Sequence, residues 1–226
     1  GIVQGIRNGV GIHNALLIPS NTLFSLDIGK QGFGLAVRVP TTANVSLPEF
    51  PQHLRVRDVL VQGELTTILE AMQREQSSAR MFSAEAANAH AQLLAIWLRR
   101  GMIDAPSPAP ATAAARLVKT FCAMVAQEYR SGRPMADYAE ALDVTPTHLT
   151  RTCKQYSGLT AADILTQRSL HAARDLLETS QTPINQISDW LGFGSAAYFT
   201  RFDQHHTNQT PSDLRRAAQT GQRLLG

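Results

Sequence analysis

The sequence predicts an α+β chain, with a partial β-barrel remnant and two helices in its first half and an all-helical domain in its second. Three observations carry this expectation. Between Gly9 and Pro40 the sequence runs in short β-like segments. From Val56 the apolar residues recur at steps of three and four, and a proline- and alanine-rich stretch at 105–115 divides the helical sequence in two.

A chain of 226 residues with 43% hydrophobic content can bury a core, and its length is that of one or two domains. The formal net charge of +3 admits a polyanionic partner without requiring one. Nine basic and eight acidic residues in 1–104, against twelve and ten in 116–226, leave neither half strongly basic. Nucleic-acid binding must therefore rest on local placement of cations. Two cysteines, Cys122 and Cys153, are too few for a disulfide framework and sit in helical patterns, as buried free thiols of a reducing cytoplasm do. The longest apolar runs, such as ALLI at 15–18, fall short of the ~18 residues that span a bilayer, and no basic-then-apolar leader opens the chain. The expectation is a soluble, cytoplasmic protein with no membrane partner. Strand-like text begins almost at once after GIVQGIRNGVG, so part of a barrel or sandwich is expected upstream and the chain reads as a fragment.

In chain order, VGIHNALLIP, TLFSLDIG and FGLAVRVP predict strands of a meander, separated by Ser-Asn and by GKQG. Val56, Val59, Leu60, Leu65, Ile68, Leu69 and Met72 predict a first amphipathic helix. Ala87, Ala91, Leu94, Trp97 and Leu98 stripe a second, from Ala84 to Arg100, which Gly101 should stop. The run APSPAPATAAA at 105–115, with three prolines in five residues, predicts a semi-rigid linker between a domain at 1–104 and another at 116–226. Beyond it, Arg116 to Tyr129 predicts a helix with Leu117, Phe121, Met124 and Val125 inward. A short helix from Met135 to Leu142 follows, and Thr145-Pro146 opens the next, with Thr as N-cap and Pro at the first helical position. Thr182-Pro183 repeats that grammar.

The second half also repeats a larger unit. Leu149-Thr150-Arg151 and Phe199-Thr200-Arg201 each stand just past a short helical segment and a turn. In the first unit, near 134–158, Ala139, Leu142 and Val144 lead into a stripe of Leu149, Cys153 and Tyr156, leaving Thr147, Thr150, Arg151 and Lys154 outward. In the second, near 182–207, Ile184, Ile187 and Leu191 precede the turn GFGS. Ser195 caps a helix with Phe199 and Phe202 inward and Thr200 and Arg201 outward. Two short helices joined by a tight turn, the second with small polar and cationic residues outside, form a helix-turn-helix whose second helix fits a DNA major groove. There arginine can donate twice to guanine, and threonine can meet a base edge or a thymine methyl. One copy alone fits a plain bundle with solvated Thr and Arg equally well; the matched repetition favours DNA. Between the copies, Thr160 with Asp163 predicts a capping box, and Ala161 to Glu178 keeps Leu165, Ser169, Ala172 and Leu176 on one face. At about 1.5 Å per residue that helix spans roughly 27 Å, near the ~34 Å between successive major-groove windows on one face of the duplex.

These residues resemble the AraC/XylS family of bacterial transcription regulators. The resemblance is carried by MADYAEALDVTPTHLTRTCKQYSGLT, RSLHAARDLLETSQTPINQIS and WLGFGSAAYFTRFDQHHTNQTPSDLRR, and covers about 116–218. It implies framework roles for Leu149, Leu176, Ile187, Gly192, Phe193, Tyr198, Phe199 and Pro211. It implies base contacts from Thr147, Thr150, Arg151, Ala197, Thr200 and Arg201, with double-stranded DNA as partner, activation as output, and RNA polymerase and a small-molecule effector of unknown identity as further partners. Lys154, Arg168, Arg174, Arg215 and Arg216 are phosphate-contact candidates, Arg174 doubling as a helix partner of Glu178. The strands and helices before the linker resemble the end of a cupin-type sensing and dimerisation domain, which implies a homodimer, with the second helix near Leu94, Trp97 and Leu98 as the expected interface.

Two positions depart from the family's pattern: Asp203 stands where it has a core aromatic, and Asn208 where it has glycine. Either Asp203 is partly exposed and Phe202 takes over the packing, or this half is less stable. Because Ala196 and Ala197 offer no hydrogen bonds, the second unit should add affinity and shape readout more than base discrimination. Enzymatic alternatives find little support. His13 and His53 lack the His-x-His and carboxylate of a cupin metal centre, and adjacent His205 and His206 point apart on a helix. Ser195 lacks a nucleophile elbow and already serves as a cap, and GKQG lacks the spacing of a phosphate loop. No enzyme, metal or cofactor is expected. A protein-interaction module built on the helices at 56–100 is the remaining alternative.

Overall fold

A computed structural model describes the chain except for residues 12, 31, 79, 106–109 and 226. The chain divides into two compact units. One comprises Gly1–Val3 and Arg7–Ala111; the other comprises Gln4–Ile6 and Thr112–Gly226.

In the first unit, β1 (Ile2–Val3) pairs antiparallel with β4 (Phe24–Ser25), while the two-residue β2 (Ile6–Arg7) falls on the division between the units. A separate antiparallel pair joins β3 (Asn14–Leu17) to β5 (Gln52–Arg55), with Ala15 opposite Leu54 and Leu16 opposite His53. Helices α1 (Val59–Ser77) and α2 (Ser83–Asp104) pack on each other, and α2 also meets β5. Leu54, Val56, Leu94, Trp97 and Leu98 form the buried core, and the Trp97 indole N–H donates to the Val61 carbonyl at 3.1 Å.

Several expectations fail here for physical reasons. FGLAVRVP is no strand: Phe33, Leu35 and Val37 are exposed, with no neighbouring strand for that segment to pair with among the described residues. The pairing strand is instead Gln52–Arg55, whose polar text hid it. Gly101 does not stop α2 but lies inside it, where a side chain's first carbon would sit 3.0 Å from Leu54 Cδ1, so glycine admits the strand. Leu94, Trp97 and Leu98 are buried within their own unit and cannot form an intermolecular face. The sheets are small fragments, and no cupin barrel is formed by the described residues.

In the second unit, α3 (Ala113–Glu128) begins where the linker was expected to continue to 115. Thr112 caps it, accepting from the Ala115 amide at 3.1 Å, and its hydroxyl also meets the Tyr156 hydroxyl at 2.7 Å. Residues 106–109 of that linker lie outside the described residues. Beside Phe121 and Val125, α3 buries Val118 and Cys122, whereas Leu117 and Met124 are half-buried, so its inward face is turned by about one residue from the expected one. Then come α4 (Met135–Ala141), α5 (Pro146–Ser157), α6 (Ala161–Thr179), α7 (Ile184–Trp190), α8 (Ala196–Thr207) and α9 (Pro211–Leu225). Thr160 and Asp163 form the expected capping box on α6. Thr182 does not cap α7: Pro183 occupies the N-cap, and no side-chain bond closes that end. Helix α6 packs against α3, α5, α7 and α9, and so connects the two helix-turn-helix repeats within this unit.

Candidate nucleic-acid interface

The two repeated units have closely matched backbones. Helices α4 and α7 each have seven residues, α5 and α8 each twelve. The Val144 amide reaches back to the Ala139 carbonyl at 3.0 Å, and the Phe193 amide to the Ser188 carbonyl at 3.0 Å. From Met135 to Ile184 the offset is 49 residues, yet from Pro146 to Ala196 it is 50, so the second turn carries one extra residue. Each second helix is capped by a hydroxyl: Thr145 accepts from the His148 amide and Ser195 from the Tyr198 amide, both at 3.2 Å. The Ser195 hydroxyl is thus the N-cap of α8, as the sequence predicts.

Burial sorts the faces of these helices. Leu149 and Cys153 on α5 and Phe199 on α8 are inaccessible to solvent. Thr147, Arg151 and Lys154 are exposed on α5, and Thr150 is half-buried beside them. On α8, Ala197 and Arg201 are exposed and Thr200 is half-buried, its hydroxyl donating to the Ala196 carbonyl at 2.9 Å. The Thr200 hydroxyl thus already has an acceptor within its own helix. Arg151 has a neighbour in His148, 3.4 Å from Nη2 to Nδ1. The side chains proposed to meet bases are therefore gathered on one face of each helix.

The phosphate candidates divide more sharply. Lys154 is exposed. Arg174 pairs with Glu178 at 3.1 Å and Arg216 with Asp213 at 3.2 Å, both across solvent-exposed helix surface, where such pairs contribute little and yield readily to a stronger anion. Arg168 is half-buried, its guanidinium 3.8 Å from the centre of the Tyr129 ring. Arg215 departs most from expectation. One of its nitrogens donates to the Thr182 carbonyl at 2.6 Å and its Nε is buried, so the side chain straps α9 to the segment before α7 instead of lying open to solvent.

Asp203 resolves the alternative left open by the sequence, since it is 1% exposed rather than partly solvated. Phe202 is half-buried and stacks on Phe193, with centroids 4.9 Å apart, and His206 meets its edge at 4.8 Å. Packing and charge burial thus occur side by side. The Asp203 Oδ2 and the Ser188 hydroxyl are buried without a hydrogen-bond partner. Burial pushes the Asp203 carboxyl up to about 6, against a smaller opposing pull from Arg174. The thiols of Cys122 and Cys153 are buried and free, and burial pushes them up to about 12 and about 11.

Among the described residues no cluster of three or more potential metal ligands occurs, and no helix is long and apolar enough to cross a membrane. His13 Nδ1 lies 3.1 Å from the Gln62 side-chain oxygen, and His53 Nε2 pairs with that of Asn14. The two histidines thus engage amides on different elements. Sequence reasoning missed Trp190 and Arg130, which stack at 4.2 Å. A lone exposed tryptophan at a helix end was the available signal.

Residues 138–217 match a family model described as a helix-turn-helix domain. Over 71 residues the chain is 32% identical to the bifunctional transcriptional activator/DNA repair enzyme AdaA of Bacillus subtilis, covering 31% of this chain and 34% of that protein. Over 126 residues it is 30% identical to the HTH-type transcriptional regulator GlxA of Rhizobium meliloti, covering 53% and 39%. A solved transcriptional regulator from Chromobacterium violaceum, described as an AraC-type DNA-binding domain-containing protein, aligns at 25% identity and a TM-score of 0.37, covering 44% of this chain and 93% of that one. The chain spans less than two thirds of the curated relatives it matches.

Proposed function

We propose that this chain, whose residues 138–217 match a helix-turn-helix domain, is a sequence-specific regulator of transcription of the AraC type acting on double-stranded DNA. The observation that carries this reading is the pair of capped twelve-residue helices, each with an arginine on its exposed face and an apolar anchor on the other. A helix of that size fits the major groove, and an arginine there reads guanine by two parallel hydrogen bonds. With both helices on one spine, α6, a single chain would address two adjacent grooves.

In this reading Arg151 donates to a base edge, Thr147 and Thr150 add short polar or methyl contacts, and Lys154 neutralises phosphate. Arg201 and Ala197 bring the second helix against its groove, with Thr200 contributing its methyl because its hydroxyl is engaged internally. Arg174 and Arg216 exchange their exposed carboxylate partners for phosphate, while Arg168 and Arg215 support the backbone from behind.

Self-association is a second element of the proposal. With Leu94, Trp97 and Leu98 buried, the supporting surface is the opposite stripe of α2, where Leu93, Ile96 and Ile103 are exposed at steps of three and seven. Contacts with RNA polymerase and with a small-molecule effector rest on resemblance alone.

The decisive experiment is a salt-titrated selection of the full chain against a randomised duplex pool, with Arg151→Ala in parallel. A motif of two patches about one helical turn apart, lost or relaxed in the variant, supports the reading. Weak binding without enrichment, unchanged by the substitution, overturns it.

A further inference from the structure

Helix-turn-helix units that share only a connecting helix could swing about it, yet a second contact joins these two. Resting on the DNA-reading function above, we propose that the loop 130–133 and the second turn at Trp190–Gly192 form a brace that fixes the angle and separation of the two recognition helices, making Trp190, Arg130 and Gly192 positioning residues for the spacing of the DNA site.

Two features build the brace. At the ring level, Tyr129 and Trp190 meet edge to face with centroids 6.5 Å apart. The Arg130 guanidinium lies 4.2 Å from the Trp190 ring centre, and that of Arg168, from α6, covers Tyr129 at 3.8 Å. Tyr129, from the end of α3, packs on the core of the second unit beside Ile184 and Phe193. At the backbone level, Gly132 and Gly192 approach so closely that a side-chain carbon on Gly132 would lie 3.1 Å from the Gly192 carbonyl, while one on Gly192 would collide with the Arg130 carbonyl. Gly192 has φ +79°, but that conformation alone does not demand glycine, because Asp143 adopts φ +54° in the first turn with a side chain present. What sets the second turn apart is the loop pressed against it.

The test uses the full chain with spin labels at Gln155→Cys on α5 and Gln204→Cys on α8; both sites are exposed, and the native thiols are buried. Dipolar spectroscopy should give one narrow distance for the parent, a broadened one for Trp190→Ala and for Arg130→Ala, and a displaced one for Gly192→Asn. Asparagine tolerates the left-handed backbone, so strain in φ is not the variable. A distribution that is broad in the parent, or that stays narrow in Trp190→Ala although its melting temperature falls, would overturn the brace. The second arm shifts one half of the selected duplex by single base pairs. The parent should lose about tenfold in affinity per step, comparable to a mismatch, and Trp190→Ala less than about threefold by the same measure. Equal losses would overturn the proposal. A parent that selects no sequence would defeat the DNA-reading function, while the dipolar distances would still decide the brace.

Discussion

The first and second recognition units are near-copies in backbone and unlike in their interiors. Around α5 every buried polar side chain has a partner: the Thr152 hydroxyl donates to the His148 carbonyl at 2.8 Å, and the Ser157 hydroxyl to that of Cys153 at 2.8 Å. Around α7 and α8 the Ser188 hydroxyl and one Asp203 oxygen have none. Buried polar groups without partners cost of order 1–3 kcal/mol each. The two copies therefore share backbone and caps and differ in how well their interiors satisfy buried polar groups.

The largest test of this contrast is Asp203→Asn, which keeps the shape and removes the charge. A carboxyl raised from 3.8 to about 6 in the fold stabilises the protein fully only below 3.8, where it is neutral in both states. That contribution is lost as pH rises towards 6 and stays lost above, amounting to roughly 3 kcal/mol. The parent should therefore unfold more easily at pH 7 than at pH 4.5 as far as this group is concerned. The variant should gain about 2–3 kcal/mol at pH 7 and almost nothing at pH 4. Denaturant titrations at the two pH values measure the gain; an equal effect at both would remove the charge as its cause.

Next in size are the two arginines. Arg151→Ala should cost about 1–3 kcal/mol on the matched site and relax specificity at one base pair, as loss of a bidentate guanine contact does. Arg201→Ala should weaken matched and mismatched sites more nearly alike. Binding measured on both kinds of duplex separates these results, and equal loss of discrimination from the two variants would erase the proposed division of labour.

How much of this was readable from residues depended on whether the signal was local. Caps at Thr145, Thr160 and Ser195 were legible because a hydroxyl three residues before an amide is a chain-local pattern. The apolar anchors Leu149 and Phe199 followed from helical periodicity. Long-range pairing was not legible: the polar strand Gln52–Arg55 exists because Asn14–Leu17 lies beside it, and FGLAVRVP has strand text without such a neighbour. Arg215 read as a surface cation because its Thr182 acceptor lies 33 residues away. The stack of Arg130 on Trp190 likewise joins two helix ends distant in sequence.

A smaller effect concerns Ser188, whose buried hydroxyl has no partner in the second unit, whereas its counterpart Ala139 in the first has no hydroxyl to satisfy. Ser188→Ala should be neutral or stabilise by up to about 1 kcal/mol. A destabilisation of that size in thermal melts would mean that the hydroxyl does have an unseen acceptor.

The smallest test compares the two helix ends. Helix α5 stops at Gly158, φ +79°, and α8 at Asn208, φ +59°, and each residue's amide returns to the carbonyl four residues before it at 2.9 Å. The hydrogen bonding is the same, so the two ends differ in the cost of placing a side chain in the left-handed region, which glycine does not bear and asparagine bears only in part. Asn208→Gly should therefore stabilise by about 0.5 kcal/mol, and Gly158→Asn should destabilise by about the same amount. Because both substitutions act on the backbone alone, the double variant should melt within error of the parent. If Asn208→Gly instead destabilises, the asparagine side chain makes a contact that holds α8 to α9, and the weaker interior of the second unit is compensated at its end.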